Sequence, residues 1–169
     1  SEDPGRRRPP ALEPEARGST AAQTLREALD FAMRHPEATE LEADTLRLRL
    51  AEVLLERARD EDVREAIDLL RPLDSNRAWL MTARAHDTLG DRDAAVGAYG
   101  VLAERLSADR DGDAYWEAWV RLLELIDAER RDRLGSQDEA GARTLAQTLR
   151  SQLLRLRAQD PELGGPRYS

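Results

Sequence analysis

Acid–base, nucleophilic and metal chemistry call first for histidines, cysteines and clustered carboxylates. This chain of 169 residues holds two histidines, His35 and His86, and no cysteine. Neither histidine has a second His or a Cys three or four residues away, so zinc is not expected. His86 shares the spacing of Trp79, Thr82 and Ala83 on one helical face, the position of a hydrogen-bonded packing histidine. His35 precedes Pro36 and fits a helix end, where its protonated form suits the negative terminus. Asp109, Asp111 and Asp113 repeat the first three carboxylates of a calcium loop, yet Ala114 stands where that loop needs Gly. The segment reads instead as a solvated turn whose Asp113 caps the next helix. No nucleophile elbow, phosphate-cradling loop, dinucleotide glycine pattern or HExxH motif occurs. The sequence therefore predicts no catalytic residue, no metal site and no cofactor.

Composition narrows the partners. The 34 acidic residues outweigh 26 basic ones for a net charge of -8, and every basic residue is Arg. Such a balance repels a phosphate backbone, and nucleic acid is not an expected partner. Arg6–Arg8 form a small basic patch that Glu2, Asp3, Glu13 and Glu15 dilute. The carboxylates elsewhere interleave with arginines on polar helical faces, a pattern of solvated ion pairs. No apolar run reaches membrane-spanning length, so membrane insertion is not expected. The absence of cysteine suits either redox environment and leaves localisation open. The chain opens on Ser1 rather than Met, from which an upstream segment, removed or not included, is expected.

The elements that would position any site are helical. Apolar content is 40% with only 4% aromatic, so Leu and Ala must supply the core, which suits closely packed helices. Residues 1–18 hold four prolines and dense charge and read as a disordered linker or tail. Thr20 and Gln23 form a capping-box pattern for a first helix that carries Leu25, Ala28, Leu29, Ala32 and Met33 up to Pro36. A second helix from Glu40 to about Arg59 buries Leu46, Leu50, Val53 and Leu54. A third, after Asp60, buries Val63, Ala66, Ile67 and Leu70. Ser75 is a natural N-cap for the next helix.

From Ala78 to Leu106 two amphipathic patterns meet at Leu89-Gly90-Asp91. Gly90 can take the left-handed conformation that ends one helix, and Asp91 can cap the next. Ala95, Val96, Tyr99, Leu102 and Leu106 then share a face. The most aromatic helix, Ala114 to about Ala128, carries Tyr115, Trp116, Trp119, Leu122, Leu123 and Ile126. A polar connection from about Glu129 to Gln137 leads to a last helix, Asp138 to Ala158, with Leu145, Leu149, Leu153 and Leu156 on one stripe. Residues 161–169, with Gly164-Gly165-Pro166, make a short C-terminal tail.

On these residues the chain resembles the tetratricopeptide repeat family. Trp79, Ala83, Leu89, Gly90, Asp91, Ala95, Val96, Tyr99 and Leu102 follow its signature, with His86 replacing an aromatic and Thr82 a usual Leu. Leu50 and Trp116 take the place of Trp79 in two degenerate repeats, at spacings of 29 and 37 residues. The resemblance implies an all-α helical-hairpin solenoid over 19–160, about seven helices in three hairpins plus an N-terminal packing helix.

It also implies a non-enzymatic scaffold or adaptor that holds a peptide or helix of another protein in a concave groove. Carried over position by position, the groove would be lined by Arg77, Leu80, Met81, Arg84, Asp87 and Thr88, and by Ala114, Glu117, Ala118, Arg121, Glu124 and Leu125. From the earlier repeat come Ala51, Glu52, Leu55 and Arg59. Leu80 and Met81 beside Arg84 and Arg121 suit an acidic-apolar peptide, with packing of that pair on a neighbouring helix as the alternative. Ala51, Leu55 and Met81 stand where chaperone-binding members carry Lys and Asn, so a chaperone-tail clamp is not expected. The competing function is a helical subunit permanently assembled in a larger complex; an enzyme is a more remote reading, and oligomeric state is open.

Overall fold

The computed structural model of the chain describes residues 14–35, 40–108 and 112–161. Arg6–Arg8, Pro36, Asp109–Asp111 and Gly164-Gly165-Pro166 lie outside the described residues. Among the described residues there are seven helices and no strand: α1 (Pro14–Arg34), α2 (Glu40–Arg57), α3 (Asp60–Leu70), α4 (Asn76–Thr88), α5 (Arg92–Arg105), α6 (Asp113–Gly135) and α7 (Glu139–Gln159). The all-α expectation holds. Two compact units divide the chain, Ser1–Leu69 and Leu70–Ser169.

In the first unit α1 packs on α2. Ala22, Leu29, Leu50, Ala51, Leu54, Val63 and Ala66 are buried. Arg26 of α1 makes a bidentate pair with Glu65 of α3, donating from Nε at 2.7 Å and Nη2 at 2.5 Å. That bond holds the Glu65 carboxyl below its usual range. α1 starts at Pro14, six residues before Thr20, so Thr20 is no N-cap and residues 14–18 are helical. Proline suits a first helical turn, where its missing N–H has no intrahelical partner to lose. Met33, expected on the buried face, is 64% exposed.

The second unit is a succession of neighbours, with α4 packed on α5, α5 on α6 and α6 on α7. Its core joins Ala83, Ala95, Tyr99, Leu102 and Leu106 to Tyr115, Trp116, Trp119, Leu122, Ile126 and Leu156. Tyr115 meets the edges of Trp116 and Trp119 at centroid distances of 5.2 and 6.5 Å, a favoured aromatic geometry. Trp79 is only half-buried; it leans on this core while its indole N–H donates to Asp74 at 3.3 Å.

The helix boundaries follow the expected caps in the middle of the chain. Ser75 accepts from the Ala78 N–H at 3.2 Å and Asp91 from the Ala94 N–H at 3.3 Å. Elsewhere the boundaries differ. Asp113 is already the first residue of α6, with Gly112 as a cap that offers no side-chain bond. α6 runs to Gly135, absorbing most of the expected connection. Its extra turns are exposed but laced by Asp127 with Arg130 and Arg131 and by Glu129 with Arg133, the three- and four-residue spacings that stabilise solvated helix.

Three corners share one backbone conformation. Ala58 (φ 52°), Gly90 (φ 72°) and Gln137 (φ 65°) are left-handed, and each precedes the residue whose carbonyl accepts the next helix's first bond. At the last two corners an Asp N–H reaches back five residues, Asp91 to the His86 carbonyl at 2.9 Å and Asp138 to that of Arg133 at 2.8 Å. This is the Schellman closure. Asp138 then caps α7 by accepting from Gly141 at 2.9 Å.

Candidate functional site

Charged side chains expected to line the groove do meet between α4 and α6. Arg84 donates to Glu117 from Nε and Nη2, both at 2.6 Å. Arg121 pairs with Asp87 through Nε and Nη2, and its Nη1 reaches Glu124 at 2.5 Å. The Asp87 carboxylate, with help from Glu124 and against the opposing effect of burial, holds the Arg121 guanidinium above its already high value. Tyr99 lies under this lattice, its phenol pushed up by burial and by the Asp87 and Glu117 carboxylates. Arginine geometry favours such fork-to-carboxylate pairing.

Two consequences correct the sequence-based picture. Both arginines expected to hold a partner's carboxylates already hold the chain's own. The apolar pair is not open either: Met81 is 7% exposed, and Leu80 is half-buried with its side chain on the core. Ala118 and Leu125, also expected in the groove, are buried, as is Ala51. α4 buries Ala78, Met81, Ala83 and Ala85, more than the single stripe its pattern suggested. Arg77 and Glu124 are exposed, and Thr88 turns its hydroxyl back to the Arg84 carbonyl at 2.9 Å.

His86 sits half-buried at the α4–α5 corner, with Nδ1 3.5 Å from an Asp91 oxygen. Among the described residues no three His, Cys, Asp or Glu side chains gather as a metal would require. No described helix is long and apolar enough to cross a membrane.

The sequence reading missed an open cleft between α6 and α7, about 530 Å³ in volume, lined by Asp127, Arg130, Leu149, Arg150, Leu153 and Arg157 together with Ala146 and Leu154. Leu153 had been expected beside Leu145, Leu149 and Leu156 against the core. Leu156 is buried and Leu145 and Leu149 are half-buried, whereas Leu153 is 48% and Leu154 58% exposed. A signal was present: Leu153, Leu154 and Leu156 fall at three different angles around a helix, and one stripe cannot take all three.

Cross-helix ion pairs were also missed. Arg92 at the start of α5 reaches Glu129 at 2.6 Å and Asp132 at 2.7 Å, Arg105 reaches Asp74 at 2.7 Å, and Arg155 reaches Glu104 at 2.9 Å. These partners are far apart in sequence, where no local pattern exists to find them.

The described residues define an all-helical protein. No known protein family, curated protein or solved structure matches the chain.

Proposed function

We propose that the chain is a non-catalytic adaptor, a tetratricopeptide-like stack of helical hairpins that binds another protein. The observation that carries this reading is the succession in the second unit, where each helix packs on its predecessor and the α4–α5 and α6–α7 corners are left-handed and of one type. Such an arrangement builds extended surfaces rather than an enclosed reaction site. The α4–α6 face with Arg77, Leu80, Arg84, Asp87, Glu117, Arg121 and Glu124 is the binding face the family resemblance implies. Its internal pairs would have to exchange for a partner's charges.

Phe31, Met33, Val101, Val120, Leu134, Leu153 and Leu154 are more than a third exposed, which favours permanent assembly as the second reading. Light scattering on the purified chain separates the two. An adaptor stays monomeric across concentration, while a large stable oligomer or precipitation counts for the assembled subunit. Capture from a lysate of the source organism with the parent and with Arg84→Glu/Arg121→Glu tests the face. Equal recovery of a partner by both would remove the α4–α6 face from the proposal.

A further inference from the structure

Charge is distributed unevenly along the chain. Overall it is -8, yet α7 carries Arg143, Arg150, Arg155 and Arg157 against the single acid Glu139. Arg155 is engaged with Glu104 of α5. Arg143, Arg150 and Arg157 recur every seventh residue, so they share one side of the helix. None of the three makes a hydrogen bond or ion pair among the described residues, in contrast to Arg84, Arg92, Arg105 and Arg121 on the other helices.

Two of these free arginines border the α6–α7 cleft. On its α6 side Arg130 is held by Asp127 at 2.7 Å, which uses up the one carboxylate lining the cleft. The floor is aliphatic, formed by Ala146, Leu149, Leu153 and Leu154. An apolar strip flanked by unpaired guanidiniums is half of a helix-in-groove interface whose other half must be apolar on one face and acidic at its edges.

Resting on the adaptor reading, we propose that this cleft is the docking site for an acidic amphipathic helix of another protein. A second copy of the chain is the poorer occupant. Pairing α7 with another α7, in either direction, sets the Arg143, Arg150 and Arg157 row against itself, and like charges face to face are destabilising. A nucleic-acid strand is poorer too, because the lining offers aliphatic side chains and no aromatic ring for a base to stack on.

The test uses the full chain and two synthetic helix-forming peptides of about 18 residues, roughly five turns. Both carry Leu at i, i+3, i+4 and i+7; one has Glu at the flanking positions and the other Lys. By fluorescence anisotropy the Glu peptide should bind saturably and at least about tenfold tighter than the Lys peptide, with the difference shrinking as salt rises. Arg150→Glu/Arg157→Glu should weaken the Glu peptide about tenfold or more and reverse the preference. Leu153→Ser/Leu154→Ser should weaken both peptides alike. These side chains are exposed, so both variants should keep the parent's circular dichroism and melting midpoint.

Equal binding of the two peptides, or binding untouched by both double variants, would overturn the proposal. So would a dimer, seen by sedimentation equilibrium, that Leu153→Ser/Leu154→Ser dissolves, which would assign the cleft to a second copy. Binding of single-stranded RNA or anionic vesicles, lost on Arg150→Glu/Arg157→Glu without any Glu-peptide binding, would overturn it as well. If the cleft fails while Arg84→Glu/Arg121→Glu abolishes partner capture, the adaptor reading stands and only the cleft falls.

Discussion

The α4–α5 and α6–α7 hairpins turn through the same corner and are held in different ways. Each has a left-handed residue, Gly90 or Gln137, followed by an Asp whose N–H reaches back five residues and whose carboxylate caps the next helix. Past the corner the likeness ends. α5 buries Ala95, Ala98, Tyr99, Leu102 and Ala103 within 14 residues, while α7 buries only Ala142 and Leu156 within 21. The corner is therefore a matter of backbone hydrogen bonds and an aspartate, and glycine is one of several residues that serve there. What differs is how much apolar surface each returning helix covers, and the sparsely buried one carries the unpaired arginines.

Large truncations should sharpen this contrast most. Trp116→Ala, emptying a buried site against Tyr115, is expected to cost about 3–5 kcal/mol, and Leu102→Ala about 2–5 kcal/mol. Leu156→Ala should fall near the lower end, about 2 kcal/mol, because α7 has little else packed around it. Trp79→Ala should cost roughly half of Trp116→Ala or less, its ring being half in solvent. Urea denaturation gives all four values, and a Leu156 cost equal to that of Leu102 would break the comparison.

The corners come next. At Gly90 an added Cβ would meet nothing within 4 Å, so Gly90→Ala isolates the backbone cost of a left-handed residue, about 1–2 kcal/mol. Gln137→Gly and Ala58→Gly should each stabilise, by at most about 1 kcal/mol once the flexibility of glycine in the unfolded chain is set against the relieved strain. Opposite signs at Gly90 and Gln137 are the expected result. If Gln137→Gly destabilises, its side chain has a role that the conformation alone does not explain.

Acid should separate the hairpins by the smallest margin. Asp138 is held below the usual carboxylate range by the Gly141 N–H and Arg133, Glu129 by Arg133 and Arg92, and Asp127 by Arg130 and Arg131. A carboxyl depressed in the folded state adds stability above its unfolded value, about 4, and that contribution disappears as pH falls through the folded value. Asp138 and Glu129 lie at or near the α6–α7 corner and Asp127 about two turns before it; all three are partly exposed, so solvent screening keeps the effect small. Amide protection at that corner, the exchange rate taken relative to the intrinsic rate at each pH, should fall between about pH 5 and about pH 3, less so in Asp138→Asn, which still caps but does not titrate.

Helix existence was readable in the sequence because the apolar positions of Leu50, Val63, Tyr99 and Trp116 recur with helical period. The corner at Gly90 was readable because glycine and aspartate announce it. Its counterparts at Ala58 and Gln137 were not, since nothing in those residue types signals a left-handed backbone. The late end of α6 was hidden by solvated residues, whose helicity depends on ion pairs rather than burial. For the site, the convergence of Arg84, Asp87, Glu117 and Arg121 was legible from repeat position, but their mutual pairing was not, because a position says where a charge stands and not which neighbour reaches it first. The burial of Met81 escaped for the same reason: α4 is covered on more sides than one stripe.

The thin anchoring of α7 bears on how the chain ages in a proteolytic environment. Proteases of trypsin-like specificity cut after arginine only where several residues can leave the helix together, and local opening of that kind favours segments with little buried surface. α7 offers Arg143, Arg150, Arg155 and Arg157 in such a segment, while Arg92 and Arg105 sit on a helix anchored by Tyr99 and Leu102. Occupancy of the cleft would raise the cost of opening by the ligand's own binding free energy. The lifetime of the intact chain would then report whether its partner is present, with the last helix as the first part to be lost when it is not.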